Sequence, residues 1–424
     1  MRILASAAVA AVLVAAAPQM AAAQDAATSF KRDKHVSVRQ RPRPDYEAAG
    51  VRLGAFKAYP RLTVEAERDD NIYAVAASET SDTIWRVKPE LALRSDWSRH
   101  AVGAFASASV NRYSNHDTEN NEEYTLGVNG RLDVVRGTNI SGSLQYQQLI
   151  EPRSAPESLA TALAPIEYSL LTANLKGVKE FNRLRITGDL TSKAYDYKDG
   201  RLAVTGGGTT VLDQDFRDRD QVRYGVKADY AVSPDTAFYV ALAGDSRRYD
   251  VTKTRDSDGY NLTAGVDFEL AQAIRGQVDA GYMKQTYDNF AGGSRDVSGF
   301  STKSKVEWFP TELTTVTFNA SRAIEEAVVS ASQGYVSTNS SVAVDHELLR
   351  NVLLSGQASF GKDDYDGIDR ADKRTGGKLS AAYLMNRRVG VFLTYTYAKT
   401  KSDGVDKSKS FTDNKLAASV ALQF

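Results

Sequence analysis

The stretch "YNLTAGVDFEL", residues 260–270, decides the fold of this chain. Its residues alternate between an apolar set and a set that is polar or glycine. The apolar set is Tyr260, Leu262, Ala264, Val266, Phe268 and Leu270, and the other set is Asn261, Thr263, Gly265, Asp267 and Glu269. Alternation with a period of two predicts a β-strand with two different faces. The run is longer than the about five or six residues of an ordinary sandwich strand. It reaches the about ten residues with which a tilted strand crosses a bilayer.

The same pattern recurs along the chain from about residue 60 onward. Two further examples are "VRYGVKADYAV" at 222–232 and "EYTLGVNGRLDVV" at 123–135. About eighteen such runs can be counted, with sixteen or twenty as the alternatives. An even number of strands places both ends of a bacterial single-chain barrel on the periplasmic side.

The connections between these runs alternate in length. One set is tight and lies at 97–100, 135–139, 180–183, 232–236, 271–274, 309–312, 347–351 and 385–388. The other set is long and polar and lies at 114–123, 151–165, 198–220, 250–259, 288–297, 362–373 and 401–410. Short periplasmic turns and long extracellular loops are typical of outer-membrane barrels. We therefore predict an all-β transmembrane antiparallel up-and-down β-barrel in the cell outer membrane, surrounded by membrane lipid and lipopolysaccharide.

The composition excludes several other classes of protein. The formal net charge is zero, so nothing favours nucleic acid as a partner. The chain has no cysteine, which excludes disulfides, thiolate metal sites and cysteine nucleophiles. A mean hydropathy of −0.39 is compatible with a membrane barrel, because alternating strands average to low hydropathy.

The first residues predict export. Met1-Arg2 precedes an apolar stretch and then "PQMAAAQ", which predicts a secretory signal peptide at 1–23 with cleavage after Ala23. A membrane anchor is the alternative, but the apolar run is too short for a helix that crosses about 30 Å of hydrocarbon. Residues 24–50 are basic and are predicted to be a disordered periplasmic segment, or a docking arm for a periplasmic partner. The barrel is predicted to occupy 51–424.

The last ten residues, "KLAASVALQF" at 415–424, form another alternating strand. An open sheet edge does not survive in lipid, so this strand is expected to pair with the first strand and close the barrel. Its lipid-facing set would be Leu416, Val420, Leu422 and Phe424, with Phe424 in the periplasmic aromatic girdle.

A family resemblance rests mainly on residues 43–73, "RPDYEAAGVRLGAFKAYPRLTVEAERDDNIY". The spacing of Gly50, Gly54 and Phe56, and the run Asp69 to Tyr73 after the first strand, resemble a family of outer-membrane β-barrel porins of Gram-negative bacteria. Its members are often encoded beside genes for surface or exported polysaccharide. The resemblance implies a port for polysaccharide, with periplasmic export components as partners. The terminal phenylalanine is similar to the signature that the barrel assembly machinery reads.

The inward-facing set carries charges of both signs and, by the sequence, no apolar packing. A barrel of this size filled with water is therefore expected, with a weak preference for anions. The candidate lumen-lining residues are Arg86, Lys88, Arg94, Arg131, Arg183, Arg185, Arg223, Lys227, Asp229, Asp267, Glu269, Arg275, Asp279, Lys303, Lys305 and Lys378.

No catalytic or metal motif is present in the sequence. The histidines are scattered and lack metal-ligand spacing, at His35, His100, His116 and His346. A G-x-S-x-G motif does not occur. The chain is thus predicted to be a channel for hydrophilic solutes without a cofactor, and not an enzyme. The alternatives are an outer-membrane hydrolase or a structural barrel closed by loops such as 151–165 or 198–220.

Overall fold

The computed structural model describes residues 36–156, 158, 162–203, 208–271, 273–290, 293–327, 329 and 332–424. The predicted signal peptide and residues 24–35 lie outside these ranges, so cleavage after Ala23 stays a prediction. No helix among the described residues is long and apolar enough to span a membrane.

The described chain is almost entirely β-sheet. Its strands are β1 (Val51–Leu53), β2 (Phe56–Asp69), β3 (Asp82–Ser95), β4 (Ala101–Tyr113), β5 (Asn121–Val135), β6 (Thr138–Ile150), β7 (Glu167–Phe181), β8 (Leu184–Tyr197), β9 (Gly200–Ala203), β10 (Thr209–Leu212), β11 (Arg219–Ser233), β12 (Thr236–Tyr249), β13 (Ser257–Leu270), β14 (Ile274–Phe290), β15 (Gly293–Thr311), β16 (Thr314–Glu326), β17 (Gly334–Leu349), β18 (Val352–Tyr365), β19 (Ala371–Leu384), β20 (Val389–Asp403) and β21 (Phe411–Gln423). Short 3₁₀ helices lie at Val38–Gln40, Asp117–Glu119, Asp215–Arg217 and Lys253–Arg255.

Eighteen of these strands form one closed antiparallel barrel. From β2 to β8 and from β11 to β21 each strand pairs with the next, and β8 pairs with β11. The barrel closes where β21 pairs with β2, with Leu422 opposite Leu62 and Val420 opposite Val64. The predicted antiparallel barrel of about eighteen strands is confirmed. Strand β1 forms a hairpin with β2, and β9 and β10 form a hairpin within the loop after β8.

The outward face is apolar, as the alternation predicts. Leu262, Val240 and Tyr224 lie on neighbouring strands and are 49%, 54% and 58% exposed, so they form part of a lipid-facing band. At the closing strand the same face carries the four residues predicted to face lipid, which are all exposed, Leu416, Val420, Leu422 and Phe424. The Phe424 amide donates to the carbonyl oxygen of Pro60 at 3.1 Å.

Turns and loops alternate in length at the two ends of the barrel. One predicted loop, 288–297, is replaced by a strand extension, since β14 continues to Phe290 and β15 begins at Gly293. The two strands extend because side chains of β14 and β15 bond to each other beyond the strand ends that the sequence predicts. Lys284 pairs with Asp296 at 2.7 Å, and the Thr286 hydroxyl donates to Asp296 at 2.7 Å.

The predicted disorder up to Gly50 is wrong for residues 36–50. We call these residues the leader, and they lie against the inside of the periplasmic mouth. The Val38 amide donates to Thr315 Oγ1 at 3.0 Å, and Val38 is 1% exposed. Barrel side chains also donate to leader carbonyl oxygens, Arg350 to Pro42, Arg387 to Pro44 and Gln423 to Tyr46. Inward-facing carboxylates of the barrel hold the basic leader, which composition alone could not show.

The expectation that the inward face lacks apolar packing is also wrong. Near the extracellular end one cluster is Ile166, Leu170, Tyr195 and Tyr197, and a second is Met283, Tyr287, Val297 and Ile324. Tyr335 and Tyr365 stack with their ring centroids 4.8 Å apart. The tyrosines of these clusters point inward, where they alternate with charged residues. Loops cover the clusters, which therefore fill part of the lumen near its extracellular end.

The seam between β2 and β21 is held by a half-buried cation between two buried carboxylates, which leads to a first prediction. Lys415 Nζ lies 2.6 Å from Asp69 Oδ2 and 3.1 Å from Asp413 Oδ2, and each aspartate is 2% exposed. Lys415→Met leaves two buried carboxylates without their cation, which costs about 3 to 5 kcal/mol. We expect unfolding at a lower urea concentration and at a lower temperature in a heat-modifiability gel.

Lys407→Met is the matched control, because Lys407 is an exposed residue of the loop before the same strand. The urea concentration at which half of the Lys407→Met protein is unfolded should equal that of the unmodified protein. A Lys415→Met midpoint that is also unchanged would show that the seam does not need this ion pair.

Candidate functional site: the barrel lumen

The barrel encloses a cavity of about 1530 Å³. Its lining runs from Arg39 of the leader to Ser154 and Pro156 of the loop after β6. Most of the wall between them belongs to strands β7, β8 and β11 to β20. Thus a segment of the chain lies at each end of the cavity, the leader on the periplasmic side and a loop on the extracellular side.

The extracellular cover is the loop between β6 and β7, and we call its described residues 151–156, 158 and 162–166 the lid. Buried ion pairs attach the lid to neighbouring loops. Arg153 Nη2 lies 2.7 Å from Glu119 Oε1, and Arg217 Nη2 lies 2.6 Å from Glu151 Oε1. All four side chains are at most 10% exposed. Two charges on the lid therefore match two opposite charges beneath it.

The lid also reaches loops farther around the barrel. The carbonyl oxygen of Pro156 accepts from Arg370 Nη2 at 3.4 Å and from Ser408 Oγ at 3.2 Å. Lys409 Nζ donates to the carbonyl oxygen of Ser158 at 3.1 Å. Since Arg370 precedes β19 and Ser408 precedes β21, the lid crosses the extracellular mouth and does not merely border it.

The supports under the lid share one local structure. Three loops contain a 3₁₀ helix followed by an Asx residue whose side chain accepts from the backbone amide of the tyrosine that ends the preceding strand. The bonds run from Tyr113 to Asn120, from Tyr197 to Asp218 and from Tyr249 to Asp256, at 2.7, 2.6 and 2.7 Å. In each case the last helical residue is a buried charge, Glu119, Arg217 or Arg255.

This repeat could have been found in the sequence. The segments read "DTEN" at 117–120, "DFRD" at 215–218 and "KTRD" at 253–256, each after a strand that ends in tyrosine. The sequence reasoning missed it because the loops differ in length before the short helix. Without the repeat, Glu119 and Arg217 read as ordinary solvated loop charges.

A second segment narrows the lumen from the side of β16 and β17. Glu326, at the end of β16, accepts from Tyr249 Oη at 2.7 Å and pairs with Arg247. Tyr287 Oη donates to the same carboxylate at 3.3 Å. Arg255 Nη1 donates to the Ala327 carbonyl oxygen at 2.7 Å. The end of β16 thus contacts the inward faces of β12 and β14 across the lumen.

The leader is held on the periplasmic side by carboxylates of β17. Arg39 Nε lies 2.6 Å from Asp345 Oδ1, and Arg43 Nη2 lies 2.8 Å from Glu347 Oε2. Arg41 also pairs with Glu347, at 3.4 Å. Burial lowers the pKa of Arg43 below its ordinary value, and the Glu347 charge opposes that shift. Both inward carboxylates of this strand therefore anchor the leader.

Eight of the sixteen predicted lining residues lie on the cavity wall. They are Arg223, Lys227, Asp267, Arg275, Asp279, Lys303, Lys305 and Lys378. Most of these are engaged by neighbours on the same wall. Arg275 Nε pairs with Glu307 Oε2 at 2.7 Å, and Lys305 Nζ pairs with Glu307 Oε1 at 3.0 Å.

The other eight lie elsewhere in the barrel. Arg86 and Lys88 pair with Glu65 near the seam, both at 3.0 Å. Arg183 lies in the turn between β7 and β8, not on the wall. The remaining five occupy periplasmic ends of strands, with Arg94 over the Tyr59 ring, Arg131 paired to Asp133, Arg185 paired to Asp229, and Glu269 opposite Arg275.

Three cations whose strand register points them into the cavity differ from the rest. Within the described part of the chain, no carboxylate oxygen is within ion-pair distance of Arg223, Lys303 or Lys378. A fourth such cation, Lys176, lies directly opposite Asp189 on the next strand, so those two charges offset each other.

Arg223 lies directly opposite Asp245, but Arg247 already pairs with that carboxylate. One carboxylate of the wall, Asp279, accepts hydrogen bonds from Tyr239 Oη and the Lys303 amide and has no cation within ion-pair distance among the described residues. The unpaired charges of the wall are therefore three positive and one negative.

Among the residues that the structure describes, two groups of aspartates could hold a cation by their spacing. In the first group, Asp69, Asp70 and Asp413, the Lys415 ammonium already lies against two of the carboxylates. The second group, Asp199, Asp213 and Asp215, is exposed in the loop after β8, and the nearby Asp213 carboxylate raises the pKa of Asp215. Neither group borders the cavity.

A family model described as "Putative beta-barrel porin 2" matches residues 43–424, which is nearly the whole described chain. The chain belongs to this porin family. It is a porin-like β-barrel channel of the outer membrane, and membrane lipid surrounds it. No curated protein sequence matches the chain.

Solved structures with the same fold include porins of other bacteria. A BenF-like porin from Pseudomonas fluorescens Pf-5 is 11% identical with a TM-score of 0.46, over 87% of this chain and 99% of that one. Pseudomonas aeruginosa OccK2 (OpdF) is 9% identical with a TM-score of 0.47, over 87% and 98%. Acinetobacter baumannii OccAB3 is 12% identical with a TM-score of 0.46, over 88% and 100%. At these identities this porin shares only the fold with them.

Proposed function

We propose that this porin is a narrow channel for small hydrophilic solutes and that it prefers anions. The observation that carries this proposal is the enclosed cavity in which three unpaired cations, Arg223, Lys303 and Lys378, outnumber the one unpaired carboxylate, Asp279. A lumen lined with polar and charged side chains in an eighteen-stranded barrel supports passage of hydrophilic solutes. Cations without a carboxylate partner attract an anion that enters, whereas the paired charges nearly cancel.

The lid and the leader determine the size of the solute. A solute crosses from one side to the other by passing between the wall and both segments, so the channel should exclude large molecules. A polysaccharide chain would require both segments to move, so we do not favour the polysaccharide port that the family resemblance implies. That port, its export partners and the reading of Phe424 by the assembly machinery stay predictions.

The occluded structural barrel is the second candidate, because segments cover both mouths. Liposome swelling with folded protein and a graded series of neutral sugars separates the candidates. We expect swelling with pentoses and hexoses and a steep fall with larger oligosaccharides. Absence of swelling with any sugar, from protein shown to be folded, would favour the structural barrel. Free passage of long oligosaccharides would instead favour the polysaccharide port.

We do not propose a hydrolase. His346 faces the lipid side and contacts Thr314 Oγ1 at 3.0 Å. His100 Nδ1 accepts from the Asp133 amide at 3.2 Å in the periplasmic region. His116 Nδ1 lies 2.8 Å from Asp82 Oδ2 at the extracellular end. These three histidines are thus distributed over both ends and the outer face of the barrel, and no catalytic group joins them into one centre among the described residues.

The anion preference gives a second prediction. In the triple variant Arg223→Gln, Lys303→Gln, Lys378→Gln, we expect the anion-to-cation permeability ratio to fall by about threefold for each charge removed. The estimate follows from about 0.6 kcal/mol for a unit charge about 7 Å from a permeating ion in water. The measurement is the reversal potential of planar bilayers in a KCl gradient.

Lys407→Gln is the control for this measurement, because Lys407 lies in a loop and does not line the cavity. Its reversal potential should match that of the unmodified porin. If the triple variant keeps the original reversal potential, the three cations do not select ions and this part of the proposal fails.

A further inference from the structure

A row of five residues that carries four like charges lies on the lipid-facing side of the barrel, near the extracellular ends of five adjacent strands. The register of β16 to β20 places five outward residues directly opposite one another in sequence, Arg322, Thr338, Lys362, Lys373 and Lys401. We call these residues the basic row. Each lies on the same face as exposed apolar residues farther down its strand, such as Phe318, Val342, Phe360, Leu379 and Tyr395.

The basic row breaks a rule that the rest of this rim follows. Elsewhere on the outward rim, opposite charges meet across strands, in the pairs Arg112–Glu122, Lys198–Glu167, Arg248–Asp258 and Lys284–Asp296. In the basic row Lys362 faces Lys373, and Lys373 faces Lys401. Like charges directly opposite each other on a sheet are destabilising. A buried or structural role does not explain them, since the three side chains are 51%, 60% and 62% exposed.

The carboxylates near the row do not balance its charge. Asp364 pairs with Lys362 at 2.6 Å, and Asp403 pairs with both Lys401 at 2.8 Å and Lys373 at 3.5 Å. Arg322 donates only to the uncharged Thr338 hydroxyl, at 3.2 Å. The two carboxylates, Asp364 and Asp403, neutralise two of the four cations of the basic row. Two positive charges therefore remain, and an anion from outside the chain can neutralise them.

The surface below the row fits the apolar part of a lipid. Two positions below Lys362 and Lys373 the outward residues are Phe360 and Thr375, and two positions lower they are Ala358 and Gly377, which lie directly opposite each other. These two small residues project little from the wall next to the Phe360 ring, which is exposed in the lipid-facing band. A ligand whose anion rests on the row and whose acyl chain lies below it would use both features.

From these observations we propose that the basic row binds the phosphate groups of a phosphorylated glycolipid of the outer leaflet, the lipid A part of lipopolysaccharide. A lipid headgroup is preferred over free phosphate, because the cations face the membrane and apolar surface continues directly below them. The phosphate relieves the repulsion between the opposed lysines. The site concerns the outer wall of the barrel and is independent of what passes through the lumen.

The test measures lipid binding to the folded, full barrel in detergent by native mass spectrometry. The probe is diphosphoryl lipid A, and the variant is Lys373→Gln with Lys401→Gln. At about 1 kcal/mol for each lysine near an anionic surface, the dissociation constant should rise by about 30-fold. Monophosphoryl lipid A should bind the unmodified porin more weakly than the diphosphoryl form.

Three controls decide the result. Lys284→Gln removes a rim lysine that already pairs with Asp296 and should leave binding unchanged, whereas Lys373→Arg with Lys401→Arg keeps the charges and should retain binding. The proposal is overturned by equal binding to the Lys373→Gln, Lys401→Gln variant or by an equal loss in Lys284→Gln. Full displacement of the lipid by an equal concentration of inorganic phosphate would also overturn it, since the site would then be one for free phosphate. If the Gln variant does not fold, loss of binding in the Arg variant overturns the proposal.

Discussion

Replacing Arg153 with glutamate is expected to open the extracellular mouth of this porin and to raise its single-channel conductance. Arg153 holds the lid through a buried pair with Glu119, 2.7 Å away. In Arg153→Glu two buried carboxylates face each other, and breaking such a pair costs about 3 kcal/mol or more. A cost of that size shifts the equilibrium between the docked and the displaced lid by about 150-fold toward the displaced form. Larger sugars should then pass in the liposome-swelling series.

The charge swap supplies the control for this prediction. The double variant Arg153→Glu, Glu119→Arg restores opposite charges and should return the conductance and the sugar cut-off toward their original values. The three-part cycle separates the ion pair from a general loss of packing. The role of the lid is contradicted if Arg153→Glu is folded and its conductance is unchanged. It is equally contradicted if the swap fails to restore the original value although the barrel folds.

Removing the charge of Glu347 is expected to release the leader from the periplasmic mouth. Glu347 accepts from Arg43 at 2.8 Å and pairs with Arg41 at 3.4 Å, so Glu347→Gln weakens both attachments. Each charge-assisted hydrogen bond contributes about 1.5 to 3 kcal/mol, so trypsin should cleave the Arg39–Gln40 bond at least about tenfold faster. The measurement is the rate at which the leader peptides appear by mass spectrometry.

Glu312→Gln is the matched control at the same mouth. The Glu312 side chain is exposed, and its contact with the leader is made by its carbonyl oxygen, which Arg41 contacts. Cleavage of this variant should proceed at the original rate. If Glu347→Gln is also cleaved at the original rate, Glu347 does not hold the leader. The lid and the leader lie at opposite ends of one lumen, so their resistances add in series, and combining Glu347→Gln with Arg153→Glu should raise conductance beyond either variant alone.

The sequence by itself determined the barrel and the direction of its wall residues. A period of two assigns each strand residue to a face without knowledge of the strands that pair with it, so Leu262 could be placed toward lipid and Asp267 toward the lumen. Alternating connection lengths then identified the two ends of the barrel. These are local properties, because a strand that crosses lipid has one apolar face whatever its partners are.

Only the tertiary structure decided how the lumen is closed. Arg153 meets Glu119, and Arg43 meets Glu347, across 34 and 304 positions of sequence. Period and loop length carry no information about such distant partners, so the leader was predicted to be disordered and Arg153 was not predicted to lie in the site. The repulsion between Lys373 and Lys401 could not be predicted from the sequence either, because it arises only when strand register places the two lysines opposite each other. Strand faces follow from each residue's own neighbours along the chain, whereas the lid, the leader and the basic row depend on which segments the closed barrel brings into contact.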